Sequence, residues 1–152
     1  MKPRLHIVLY EPEIPQNTGN IGRLCVGADC SLHLIKPIRF MLDDKAIRRA
    51  GLDYWQFLDL HIHNSFEDFC KLHPQGRMFF ATTKTTNSYW DAEYQEGDIL
   101  VFGPESRGLP ESLLNQQQES CIRIPMSGSI RSINLSNSVA IVMYEALRQI
   151  SF

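Results

Sequence analysis

Short apolar runs closed by glycine or proline, each leading into a segment with helix-start signals, recur along this chain and leave it few architectures. Ile99 to Phe102 (ILVF), closed by Gly103, carries no polar residue and reads as a strand buried on both faces. Leu5 to Tyr10 (LHIVLY) is another buried strand, and Pro12, Pro15 and Gly19 break the chain before a helix expected near Asn20 to Ala28. Ser31 to Ile35 (SLHLI) follows as a strand, and Asp43 caps a helix through Ala50 that Gly51 ends as a C-cap glycine does. Further strands are expected at Phe57 to Ile62, Arg77 to Thr82 and Cys121 to Ile124. Ser65, with Asp68 three residues on, starts a helix toward Leu72, and Pro110 opens a short one through about Leu114. In the final helix, Val139 to Ile150, the residues Val139, Val142, Met143, Ala146, Leu147 and Ile150 share one apolar face. Buried strands alternating with helices specify an α/β fold, a mainly parallel sheet with helices on both faces.

The 152 residues, 43% of them hydrophobic, suffice for one core, so a single domain over 1–152 is expected. No apolar run approaches the ~20 residues of a membrane span, and Met1-Lys2-Pro3-Arg4 does not open a signal peptide, which together predict a soluble, cytoplasmic protein. Cys25, Cys30, Cys70 and Cys121 form no C-x-x-C pair, so neither a zinc site nor a disulfide framework is indicated. His61 and His63 alternate onto one strand face, but no third ligand stands near them in sequence, and no metal is expected. The net charge of −2 means that a polyanionic partner must meet a local basic patch, for which Lys45, Arg48 and Arg49, with Arg23, Arg123 and Arg131, are the candidates.

Three loops at strand ends carry residues that packing does not require. Ser132, Asn134, Ser136, Asn137 and Ser138 crowd the entry to the last helix, where one side-chain acceptor suffices as a cap, so a polar ligand is expected at the helix mouth. A capped core helix with a Ser/Asn-rich lead-in is the structural alternative. Pro15 to Arg23 (PQNTGNIGR) resembles an anion-binding turn but matches neither the dinucleotide G-x-G-x-x-G spacing nor a P-loop. Gly103 to Pro110 (GPESRGLP) brackets Glu105 with glycines at a strand end. Structural roles open to Glu105 are capping the Pro110 helix or pairing with Arg107.

Together, Asn17 to Arg23, Leu100 to Leu109 (LVFGPESRGL) and Ile124 to Glu145 (IPMSGSIRSINLSNSVAIVMYE) resemble the three signature motifs of the SPOUT RNA methyltransferases. The likeness continues through Ile7 to Gln16 (IVLYEPEIPQ), Arg48 to Tyr54 (RRAGLDY) and Thr82-Thr83-Lys84, and it covers nearly the whole chain. Gly22 departs from the larger apolar residue usual there, Ser127 to Ile130 form a variable insert, and the chain stops soon after the last helix. The resemblance implies a SPOUT fold with a C-terminal trefoil knot, a topology that periodicity alone never predicts. It further implies S-adenosyl-L-methionine bound by Ala81, Thr82, Gly103, Ile124, Met126 and Ser132. The catalytic set it implies is Arg23, Asn17, Glu105, Ser132 and Asn134.

The implied reaction is 2′-O-methylation of the wobble nucleotide, a cytidine or modified uridine, in the anticodon loop of a tRNA, with a leucine acceptor expected. A guanidinium stays protonated, so Arg23 is read as an electrostatic clamp on a phosphate or on the forming alkoxide, with Glu105 either orienting it or accepting the proton indirectly. Tyr54, Trp55, Tyr89 and Trp90 are candidate stacking surfaces for splayed bases. A homodimer is implied as well, with Tyr144 and Arg131 facing the neighbouring subunit. Alternatives are a methyltransferase for another RNA position and a non-catalytic RNA- or nucleotide-binding module of the same fold.

Overall fold

The computed structural model describes residues 2–43, 45, 47, 49 and 54–150. Strands β1 (His6–Tyr10), β2 (Ser31–Ile35), β3 (Leu60–His63), β4 (Met78–Ala81), β5 (Ile99–Phe102) and β6 (Cys121–Ile122) form one sheet in the order β3-β2-β1-β5-β4-β6. Every pairing is parallel. The α-helices whose bounds fall among the described residues are α1 (Pro15–Gly27), α2 (Phe66–Leu72), α3 (Glu111–Gln116) and α4 (Leu135–Gln149).

Successive side chains of a strand point to opposite faces, and the core divides accordingly. Ile7, Leu9, Leu100 and Phe102 belong to one buried cluster, roofed by Ile21 and Cys25 of α1 and by Val139, Val142, Met143, Ala146 and Leu147 of α4. Val8, Ile99 and Val101 belong to the other, covered by Phe69 of α2 and Leu114 of α3. The apolar face expected for the last helix is therefore the face that meets the sheet. Chain order reverses around β1, which pairs with β2 on one side and β5 on the other. A ligand crevice in a sheet of this kind forms beyond the carboxyl ends of the strands at such a reversal.

Several boundaries differ from the sequence expectation. α1 begins at Pro15, five residues before Asn20, because a proline at the first helical position loses no hydrogen bond. Gly19, expected to break the chain, lies inside it, and so does Gly22, where a Cβ would stand 3.1 Å from both Trp55 and Leu58, so the absent side chain lets the Trp55 ring approach. α4 begins at Leu135, four residues before Val139, because Asn134 caps it. Residues 55–57 form a 3-10 turn, and β3 starts at Leu60. Ser65 caps α2 as expected, its hydroxyl accepting the Asp68 N–H at 3.1 Å. The helix expected over Asp43 to Ala50, with its Gly51 stop, falls largely outside the described residues. Among the described residues, no helix is long and apolar enough to cross a membrane.

Candidate active site

The two loops that follow β1 and β5 are zipped together by their carboxylates. Glu105 accepts hydrogen bonds from the Glu13 N–H (2.9 Å), the Ile14 N–H (2.9 Å) and the Asn17 side-chain amide (3.2 Å). Ile14, at the N-cap of α1, has no side-chain acceptor of its own, so a carboxylate from another loop serves the entry of that helix, where negative charge is also favoured. This corrects both structural roles offered above: Glu105 caps α1 rather than the Pro110 helix, and Arg107 pairs with Glu11 at 2.8 Å instead. Glu13 returns the contact by accepting the Ser106 N–H (2.8 Å) and hydroxyl (3.0 Å), which hold its carboxyl below the usual range. The loop after β5 can fold this tightly because Gly103 has no side chain; a Cβ there would lie 2.4 Å from the Leu109 nitrogen.

The network continues to the last helix. Asn134 donates to the Asn17 side-chain oxygen at 3.2 Å, while its own oxygen accepts the Ser136 N–H (2.8 Å), the Ser136 hydroxyl (2.6 Å) and the Asn137 N–H (3.3 Å). One polar chain, Glu105 to Asn17 to Asn134, thus fixes the start of α1, the loop after β5 and the start of α4 relative to one another. Part of the Ser/Asn surplus is thereby accounted for as capping, and Ser132 and Ser138 remain on the wall of the space it encloses.

That space is a cavity of about 560 Å³ beyond the carboxyl ends of the sheet. Phe102, Ile122, Ile124, Met126, Leu135 and Val142 give it apolar walls, and Ala81 and Thr82 close it at the end of β4. Every residue expected to bind a cofactor, Ala81, Thr82, Gly103, Ile124, Met126 and Ser132, borders it, as do Asn17, Glu105 and Asn134 of the expected catalytic set. Arg23 does not. Six residues along α1 turn it about 120° from Asn17, onto an exposed face, where its guanidinium lies 4.6 Å over the Tyr54 ring. Lys84, Arg107, Ser138 and Arg131 also border the cavity: Ser138 was expected at the ligand-binding mouth of the last helix, whereas the sequence offered Lys84 only within the family likeness, Arg107 only as a partner of Glu105, and Arg131 only in a basic patch and at an interface. Their position just past strand ends or at the mouth of α4 was the available signal. Of the proposed stacking residues, Trp90 is 55% exposed, whereas Trp55 packs on Gly22.

The five histidines of the chain gather elsewhere, across β1, β2, β3 and the end of α2. His33 is buried, and burial pushes its imidazole down to about 2; His6 is pushed down to about 4 by the same cause. None of them borders the cavity. Neighbouring strands stack His33 on both His61 and His63, and among the described residues these two histidines join no three-ligand cluster.

The model of the SpoU rRNA Methylase family matches residues 4–144. The tRNA (cytidine(34)-2′-O)-methyltransferase of Escherichia coli K12 is 51% identical over 149 residues, spanning 97% of this chain and 95% of that protein. A solved structure described as giving structural insights into the 2-OH methylation of C/U34 on tRNA superposes with a TM-score of 0.90 at 46% identity, covering 95% of each chain. The AdoMet-bound rRNA methyltransferase of Sinorhizobium meliloti shares the fold at 21% identity and a TM-score of 0.87, over 100% of this chain and 59% of that one.

Proposed function

The chain belongs to the SpoU rRNA Methylase family, and on that premise we propose that it methylates the ribose 2′-hydroxyl of nucleotide 34, a cytidine or modified uridine, in the anticodon loop of tRNA. A leucine acceptor is the expected substrate and S-adenosylmethionine the methyl donor. The observation that carries this reading is the convergence of three loops, 17 to 105 to 134, on one cavity.

The residues present fit the donor. A cavity of about 560 Å³ lies in the ~300–1,000 Å³ range of small-molecule sites, and its apolar walls, with Gly103 and Ile124 among them, suit an adenine ring. When bound, S-adenosylmethionine supplies a methyl group activated by a sulfonium. Ile124, Met126, Leu135 and Val142 exclude water from that region, and Gly103 lets backbone approach it closely. Glu105, anchored by three hydrogen bonds, holds Asn17 in place, and Asn17 with Ser132 and Asn134 presents polar groups where the ribose must enter. Positioning of two reactants supplies much of the rate in such a transfer. Arg23, exposed on α1, is proposed to grip a phosphate of the bound RNA or to stabilise the forming alkoxide, which it reaches as the nucleotide is drawn toward the cavity.

The same reading includes a homodimer, with exposed Tyr144 and Arg131 at the subunit interface, a C-terminal knot and a cytoplasmic location. The dimer doubles a modest basic surface, so tRNA affinity is expected to fall steeply with salt.

The test is calorimetry with S-adenosylmethionine beside methyl incorporation into tRNA from a strain lacking this protein, with the modified nucleotide mapped by mass spectrometry. Transfer to the 2′-hydroxyl of nucleotide 34 is expected. Cofactor binding without transfer points to a binding module, and transfer at another position to a different RNA target. Arg23→Ala is expected to abolish turnover while cofactor affinity stays within a few-fold; near-full activity in Arg23→Lys contradicts a forked-donor role.

A further inference from the structure

Three histidines from separate elements meet on the α2 side of the sheet: His6 opens β1, His33 lies in β2, and His73 follows α2. Their donor nitrogens all lie within 4.8 Å of one another. His6 Nδ1 and His33 Nε2 are 3.0 Å apart, close to the roughly 3.3 Å between two imidazole nitrogens that share a tetrahedral ion at bonds of ~2.05 Å. The three ring pairs have centroids 5.1, 5.1 and 5.4 Å apart and are inclined at 42°, 67° and 87°, so no two of the rings stack face to face.

The outer nitrogens are already engaged. His73 Nδ1 is 3.1 Å from the Phe69 carbonyl, to which it can only donate, and this leaves the lone pair on Nε2. His33 Nδ1 is 3.0 Å from His63 Nε2; when it donates there, the His33 lone pair faces His6. Hydrogen bonds of this kind fix tautomer and ring orientation in metal-binding histidines. His61 is occupied separately by Asp59 at 2.8 Å. His73 sits at the C-cap of α2 and is only partly buried, so it is the member of the set free to close the remaining gap of roughly 1.5 Å.

We propose that His6, His33 and His73 bind a late first-row divalent ion of the zinc class, with water completing the tetrahedron. A set of neutral imidazoles suits Zn, Cu or Ni rather than Mg or Ca. The ion ties β1 and β2 to the end of α2, and the cavity is not part of the site.

The full chain, stripped with a strong chelator, is titrated with Zn²⁺ against a chromogenic competitor. A single equivalent per chain is expected, weakened at least about tenfold in His73→Ala and, separately, in His6→Asn. Co²⁺ is expected to give the visible bands of a tetrahedral site, absent in the same variants. Circular dichroism of the stripped proteins checks folding, and partly exposed His73 keeps the test decisive should His6→Asn fail to fold. Methyl transfer by stripped protein is expected to be unchanged. No saturable uptake by the folded wild type, uptake undiminished in His73→Ala, or uptake lost on cysteine alkylation overturns the proposal.

Discussion

Glu105 is at once a structural and a candidate functional residue, and substitutions separate the two roles. Its two oxygens serve three donors, and the amide of Glu105→Gln turns one acceptor into a donor facing them. A buried or half-buried donor left without a partner costs about 1–3 kcal/mol, so Glu105→Gln is expected to lower stability by that amount in urea denaturation and to depress methyl transfer. Ser132 borders the cavity without a comparable set of bonds, so Ser132→Ala is expected to leave the urea midpoint within the equivalent of ~0.5 kcal/mol while slowing transfer. Equal loss of stability in both would argue against this division of labour. The sequence marked Glu105 as a carboxylate between glycines; its partners, some ninety residues away, were legible only after folding.

At the scale of elements, the site rests on how loops meet helix starts. Gly103 is required by close approach and Gly108 by its φ of +70°, so together they make the turn after β5. In Gly103→Ala the added carbon meets backbone at 2.4 Å, which forces the loop outward. A loss of about 1–3 kcal/mol is expected on thermal unfolding, with a matching loss of S-adenosylmethionine affinity by calorimetry, since the displaced loop walls the cavity. A merely local strain would lower the melting temperature and spare affinity. Strand positions were read closely because buried runs have a plain signature, whereas the starts of α1 and α4 were placed late. Pro15 and Asn134 act there through cap geometry, and Gly22 sits inside α1, where Trp55 and Leu58 leave a Cβ little space.

At the scale of the whole molecule, α4 is locked to the segment before β5 by Tyr94, whose N–H donates to Gln149 at 2.9 Å and whose hydroxyl donates to the Tyr89 carbonyl at 2.6 Å. Burial raises the Tyr94 phenol above its ordinary 10.0 and pushes the Cys30 thiol from 9.0 up to about 12. The unfolded chain releases these protons first, so the stability these groups contribute, with the likewise raised thiol of buried Cys25, is full below pH 9.0, declines as the thiols of the unfolded chain ionise, and declines further above 10.0. Denaturation midpoints measured across that range are expected to fall, with Cys30→Ala flattening the first part and Tyr94→Phe the second; unchanged slopes would remove these groups as the cause. The parallel sheet and the two-sided core are legible in the chain's own pattern, because strand period and helix-start signals are local properties, and the family resemblance adds Ala81, Thr82, Gly103, Ile124, Met126, Ser132, Asn17, Glu105 and Asn134 of the cavity wall. Tertiary structure decided what each polar group does. It gave Glu105 to α1, turned Arg23 away from the cavity and gathered five dispersed histidines, because hydrogen-bond partners and converging ligands are set by strand order and register, which no local pattern encodes.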